Sequence, residues 1–571
     1  MNVDYPCSWC VSFAIQISTE RQIIGLVTRK IPRRTFLKNG IVGTAAATMS
    51  AVEPGIEKVS TDTGKRLPQQ GRRFNILYVI SDQHQAACMR HEGHPQAITP
   101  NMDRLAGQGV RFSRTYTQNP ICTPSRMSIL SGQYCHNHGY YGLNGPPPPF
   151  NLPSFLSHFR NHGYRTAAFG KIHTPDEPKN WLDGHCDRLG ECYKYFSFPP
   201  WLSDEYASYL KNLGLLEQED SVALQEFPGD QQHEGRPSRL PYEHSVEGWS
   251  VKMAIQFMKD CEDQPFCIQV SLPRPHQCYT PDARFWEMYS DGLALPRTLY
   301  QDDSKRPPHF REMVHRLKNM KWLIEPKTFE AGCRRVWRGY LACITQVDYA
   351  LGQLMDWLDQ SGKTGDTIVL YGSDHGGYEG TFGVPEKAPG ICSEAVCRVP
   401  FIWRVPDLAS VGRVCSHFAE NIDIGPTLAA LCHLPTIETS DGKDLTNLLR
   451  DGGDAVREVA VTENPWSKGL RWGPWRFVHY QKGMFGNDEG ELYNLENDPD
   501  ERRNLYRDSG YQNIVQECRR LLLEWLIETT RFVTAWPPPE GKEFSQTVAD
   551  GKESNKAGIA DRLRRHSLNY L

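Results

Sequence analysis

The chain has 571 residues, 39% of them hydrophobic and 23% charged, with a formal net charge of −4. This is the composition of an ordinary globular protein, long enough for roughly two to four compact units. The near-neutral charge gives no reason to expect nucleic acid or an anionic membrane as partner. No apolar run approaches the roughly 20 residues that cross a bilayer, so a soluble protein without a transmembrane segment is expected.

In chain order, the first signal is PRRTFLKNG, Pro32 to Gly40. Arg33 and Arg34 are followed by Phe36, Leu37 and Lys38, and then by the weakly apolar, alanine-rich GIVGTAAATMSAV. That layout predicts export by the twin-arginine machinery, with cleavage near Ala47 or Ala51 and a periplasmic or secreted destination. Residues 1–51 are read as an N-terminal extension plus signal, and 52–72 as a linker. Of 17 cysteines, Cys7 and Cys10 fall within the signal region, and the other 15 show no zinc or CxxC spacing.

From Phe74 onward, strands alternate with amphipathic helices, which predicts a doubly wound α/β sheet over 73–435. FNILYVI (Phe74–Ile80) reads as a buried strand, and TPNMDRLAGQG (Thr99–Gly109) as a helix capped by Thr99 with Pro100 at its first position. Pro124–Ser131 reads as a short helix stopped by Gly132. TAAFG (Thr166–Gly170), FCIQVSL (Phe266–Leu272) and TIVLYG (Thr367–Gly372) are further strands. Val347, Leu351, Leu354 and Leu358 share one helix face. Residues 186–245, rich in aromatics and charge, read as insertions over the sheet. After about Pro435 the alternation gives way to short β-like pieces and a helix near Gln512–Thr529, a smaller α+β subdomain over 436–536. The tail, 537–571, carries weak structural signals.

The strands end in reactive side chains. FNILYVIS runs into Asp82 and Gln83, TAAFG into Lys171 and His173, FCIQVSLPRP into His276, and TIVLYGS into Asp374 and His375. Any one of these has an ordinary explanation as a cap or loop residue. Four strands delivering such groups to the carboxyl edge of one sheet, where open α/β sheets bind ligands, point to a site. The carboxylates, amide and imidazole suit Ca²⁺ or another divalent cation. Cys122, at the start of the short helix, lies where free N–H groups favour an anion, and Arg126 one turn on can lean over that anion. A buried structural cysteine beside a surface arginine is the alternative from this stretch alone. Cys135, His136 and His138 crowd together but lack partners at zinc spacing.

CTPSR followed by MSILSGQYCHNHG resembles the signature of the sulfatase family in the alkaline-phosphatase-like superfamily. The similarity continues through NILYVISDQ, TPNMDRLAGQGVRF, GYRTAAFGKIH, SLPRPH, SDHGG with Lys387 beyond it, and ELYNLENDPDERRNL. The resemblance implies that a separate maturation enzyme oxidises Cys122 to formylglycine, whose hydrated aldehyde attacks sulfur. It implies Asp82, Gln83, Asp374 and His375 as metal ligands. Arg126, Lys171, His173 and Lys387 would hold nucleophile and sulfate, His276 would be a general acid near the leaving oxygen, and Asn144 would be a polar neighbour in the substrate site. Ile172 and Phe382 depart from the family pattern, which often has Trp and His there. The function implied is hydrolysis of a sulfate ester, with a sulfated carbohydrate as the first candidate and aryl or choline sulfate behind it. The competing readings are a phosphonate or phosphate-ester hydrolase on the same scaffold, and a non-catalytic anion-binding relative.

Overall fold

Alternate residues of the first strand, Asn75–Asp82, face opposite ways, and both ways are apolar: Leu77 and Val79 on one side, Ile76, Tyr78 and Ile80 on the other. A strand of that kind must be covered on both faces, which is the physical origin of a doubly wound sheet. The computed structural model describes residues 73–531 apart from 144–151, 176–179, 193–204, 220–234, 309, 312–314, 316–327, 385–386, 388–390, 409–410 and 483–487. The segments read as export signal and linker, the tail from 537, Asn144 and much of the 186–245 stretch therefore lie outside the described residues. Among those described, no helix is long and apolar enough to cross a membrane.

Fourteen strands are described: β1 Asn75–Asp82, β2 Val110–Phe112, β3 Thr115–Tyr116, β4 Arg165–Gly170, β5 Arg188–Glu191, β6 Phe266–Pro275, β7 Thr367–Ser373, β8 Phe401–Arg404, β9 Arg413–Cys415, β10 Ala419–Glu420, β11 Val459–Asn464, β12 Ser467–Trp472, β13 Trp475–Tyr480 and β14 Gly490–Asn494. Eight form a mostly parallel sheet in the order β5-β4-β6-β1-β7-β8-β2-β9, with β8 the antiparallel member. β3 and β10 form a small parallel pair, and β11 to β14 form an antiparallel meander. This is the doubly wound, mostly parallel arrangement expected, with a smaller C-terminal α+β part.

One face of the large sheet is covered by helices Val246–Asp260 and Phe329–Gln360. The predicted stripe Val347, Leu351, Leu354 and Leu358 lies on the second of these, fully buried. The other face packs on Ile129, Phe155 and Leu428. Each fully buried aliphatic side chain contributes about 1.5–3 kcal/mol. Ile437, Leu445, Leu448 and Leu449, beyond Pro435, pack into this same second layer, and the meander starts at Val459. Helix α1, Pro100–Gly107, starts after Thr99 as expected. Its first amides are met by the Asp348 carboxylate, while the Thr99 hydroxyl accepts from Arg90 N. All fifteen cysteines among the described residues are buried.

Candidate active site

β4, β6, β1 and β7 are consecutive, parallel neighbours, so their carboxyl ends lie side by side. Residues up to about 290 positions apart in sequence meet there for that reason alone. β1 is longer than predicted: it pairs with β7 through Ser81 and, past a register shift, sets Asp82 against Pro275 of β6. Asp374 and His375 follow β7 directly, and Lys171 follows β4.

Helix α2, Cys122–Ser131, begins two residues earlier than the Pro124 signal suggested, so Cys122 is its first residue. Gly132 ends it in the left-handed region at φ 72°. The Cys122 Sγ is buried, 3.2 Å from His375 Nε2, 3.6 Å from Asp82 Oδ1 and 3.9 Å from Lys171 Nζ. Ligand atoms of Asp82, Cys122, Asp374 and His375 all lie within 4.8 Å of one another.

Arg126 departs from the expected pose. It does not lean over the pocket but braces its floor. Its Nε donates to Asp374 Oδ2 (2.9 Å), Nη2 to Asp82 Oδ2 (3.1 Å), and Nη1 to the Lys171 carbonyl (2.6 Å) and Ser271 Oγ (2.7 Å). A planar guanidinium can span two carboxylates in this way, and a lysine cannot. Lys171 Nζ lies 2.6 Å from Asp82 Oδ2.

The charges shift one another. Burial pushes Asp82 up, but Lys171, His276, Arg126 and His375 together hold it well below the carboxylate range. Burial pushes His375 down, yet Asp374, Cys122 and Asp82 outweigh it and raise this imidazole to about 9. Its Nδ1–H donates to the Gly376 carbonyl at 2.7 Å, which leaves Nε2 facing the carboxylates. Two carboxylates and one imidazole, so placed, attract positive charge, and this donor set fits a divalent cation.

Above this floor lies a second chain of contacts. Lys387 Nζ donates to Gln83 Oε1 (2.9 Å) and lies 2.8 Å from His276 Nε2. His276 Nδ1–H donates to the Gln277 carbonyl (2.7 Å), so Nε2 is the lone-pair nitrogen that accepts from Lys387. Burial, then Lys387 and Lys171, push His276 well below the usual histidine range. His173, half-buried with φ 52°, is lowered by burial, Lys171 and Arg126.

The cysteine and histidines of the short helix α3, Cys135–His138, do not converge. His138 Nε2 pairs with Ser128 Oγ (2.9 Å) and His136 Nδ1 with Glu463 (3.0 Å). Two residues escaped the sequence reading. Ser271 ties Arg126 to the Lys171 carbonyl, accepting from Nη1 and donating at 2.5 Å. Its signal was a serine set between the apolar Val270 and Leu272 of β6. Glu379 accepts from Gln83 Nε2 at 2.6 Å. Its signal was an acid set among glycines in GGYEG.

A sulfatase family model matches residues 74–434, and one for the C-terminal part of N-sulphoglucosamine sulphohydrolase matches 391–527. The chain is 26% identical over 471 residues to an arylsulfatase of Clostridium perfringens, covering 79% of this chain and 94% of that one. It is 25% identical over 530 residues to an N-acetylglucosamine-6-O-sulfatase of Bacteroides thetaiotaomicron, covering 80% and 87%. Among solved folds, a phosphonate monoester hydrolase from Silicibacter pomeroyi superposes with a TM-score of 0.69 at 22% identity, over 80% of this chain and 96% of that one. A protein solved with its substrate D-glucosamine-2-N,6-O-disulfate superposes with a TM-score of 0.63 at 21% identity, over 80% and 98%. The chain belongs to the sulfatase family of sulfuric ester hydrolases, within the alkaline-phosphatase-like superfamily.

Proposed function

We propose that the chain is an exported carbohydrate sulfatase acting through a formylglycine made from Cys122, with Ca²⁺ as the preferred cation. The observation that carries this reading is the placement of Cys122: first residue of α2, its Sγ within 3.9 Å of Asp82, His375 and Lys171. The names of relatives support the substrate class, since they include an N-acetylglucosamine-6-O-sulfatase and an ulvan-active sulfatase. The maturation enzyme and the twin-arginine machinery would be transient partners. The boundaries at 51, 72, 435 and 536 are proposed with it.

Asp82, Asp374 and His375 would hold the cation, with Gln83 beside them. When bound, the cation would supply Lewis acidity toward the sulfuryl oxygens. Oxidised, Cys122 would present a hydrated aldehyde in place of a thiol. The chain's own groups do the rest. Arg126 fixes both carboxylates from below. Lys171 neutralises Asp82 beside the nucleophile. Lys387 and His276 share one proton between Nζ and Nε2, placed to meet the developing alkoxide. Charges aimed before reaction at the sulfuryl group need no reorganisation during it.

The test is an intact-peptide mass of the fragment carrying Cys122 from protein made in its native host, followed by turnover of sulfated monosaccharides. Aldehyde in place of thiol, with release of inorganic sulfate, is the expected pair of results. An unmodified thiol in a host that has the maturation enzyme sinks the mechanism. Turnover of phosphonate monoesters without sulfate release would reassign the substrate.

A further inference from the structure

Gly377 and Glu379 stand in an unusual relation. A Cβ built on Gly377 would fall 2.3 Å from Glu379 Oε1, 2.6 Å from its Oε2 and 2.8 Å from Gln83 Cγ. The Glu379 carboxylate therefore occupies the space a side chain at 377 would fill. Gly377 itself has no positive φ, so the demand for glycine there comes from space and not from backbone conformation. Glu379 is fully buried and lies in the left-handed region, φ 38°, a conformation that a non-glycine residue holds only when its surroundings impose it. Departures of this kind gather at functional sites.

The carboxylate acts on one partner above all. Glu379 Oε1 accepts from Gln83 Nε2 at 2.6 Å and from Tyr279 OH at 3.3 Å. An amide has a donor end and an acceptor end, so anchoring Nε2 turns Oε1 the opposite way, toward Lys387 Nζ at 2.9 Å. Lys387 in turn donates to His276 Nε2. The Gln83 backbone is held separately, its N–H by Asp374 Oδ1 (3.1 Å) and its carbonyl by Tyr340 OH (2.8 Å). That leaves the orientation of the amide to Glu379.

We infer that Glu379 is a positioning residue, seated in the space left by Gly377, which fixes the Gln83 amide and through it the Lys387–His276 pair. This inference rests on the proposed role of Lys387 and His276 around the sulfuryl group. Without the anchor the amide can turn its NH₂ toward the ammonium, and Lys387 loses the Gln83 oxygen as acceptor.

The experiment is a double-mutant cycle on the matured, metal-loaded enzyme with 4-nitrophenyl sulfate as probe. Glu379→Ala and Gly377→Ala, one deleting the carboxylate and one displacing it, should each lower kcat about tenfold to a hundredfold, as supporting partners of active-site ligands do. Glu379→Gln keeps an acceptor oxygen for Gln83 and should retain most of the activity. In a Lys387→Ala background, Glu379→Ala should cost nothing further. The same order is expected in the melting-temperature rise that inorganic sulfate gives the metal-free protein: large in the parent, reduced alike in Glu379→Ala, Lys387→Ala and the double variant. Equal loss from Glu379→Ala in both backgrounds, or a Glu379→Gln as poor as Glu379→Ala, overturns the inference. Full activity in Lys387→Ala alone would instead overturn the role of Lys387, and this inference with it. The two failures are thus told apart.

Discussion

The ammonium of Lys171 lies 2.6 Å from Asp82 Oδ2, and both groups are fully buried beside the Cys122 Sγ. One cation therefore neutralises a candidate ligand carboxylate and also reaches Cys122, the proposed nucleophile. Replacing it with Ala should lower kcat by about 10²–10³, the range for removing one preorganised charge from a transition-state site. Steady-state kinetics beside far-UV circular dichroism would check this. A folded Lys171→Ala enzyme within a few-fold of the parent would reduce the pair to a structural role.

The cluster of Asp82, Asp374 and His375 should bind a divalent cation and gain stability from it. At a cation concentration of about 100 Kd the gain is about 2.7 kcal/mol. Chelator should lower the melting temperature, Ca²⁺ should restore it, and Asp374→Asn should abolish the response. His375 holds its proton up to about pH 9, so cation binding releases that proton, and affinity should rise as pH climbs toward that value. Thermal shift with and without Ca²⁺, from pH 6 to pH 9, reads both effects.

Glu463 of β11 docks the meander onto the catalytic half. It pairs with His136 Nδ1 at 3.0 Å and Lys468 Nζ at 2.6 Å, and its backbone N–H donates to the Gln118 carbonyl at 2.7 Å. Burial pushes its carboxyl up, but these partners outweigh it and lower the carboxyl from 4.5 to about 2. A folded value below the unfolded one contributes stability that is fully present above about pH 4.5 and is lost as pH falls toward 2. The contribution is about 3 kcal/mol, at 1.36 kcal/mol per unit. Urea unfolding between pH 7 and pH 3 should show it, and Glu463→Gln should flatten the acid limb. An unchanged acid limb in that variant would count against the pairing.

Much of the site could be read from the sequence because its signals are local. Apolar runs that end in Asp82, Asp374, Lys171 and His276 mark strand ends. Cys122 with Pro124, Arg126 and Gly132 marks a helix start and stop. Two-faced apolar strands alternating with amphipathic helices define a doubly wound sheet, because each exposed apolar face must be covered. The boundaries were less legible. β6 runs on to Pro275 and α2 starts at Cys122, since pairing partners and packing extend elements past their local signals.

What the tertiary structure alone decided is which side chain meets which. Register between β4, β6, β1 and β7, strands separated by up to about 290 residues, brings together the two carboxylates that Arg126 of α2 spans. The same register brings Ser271 under Lys171. The close approach of Glu379 to Gln83 depends on an absent side chain at Gly377, and a glycine's spelling does not reveal what fills its space. Periodicity and turn chemistry act over a few residues and are written along the chain. The partners of a buried charge are fixed only when the sheet closes and leaves each charge no water to turn to.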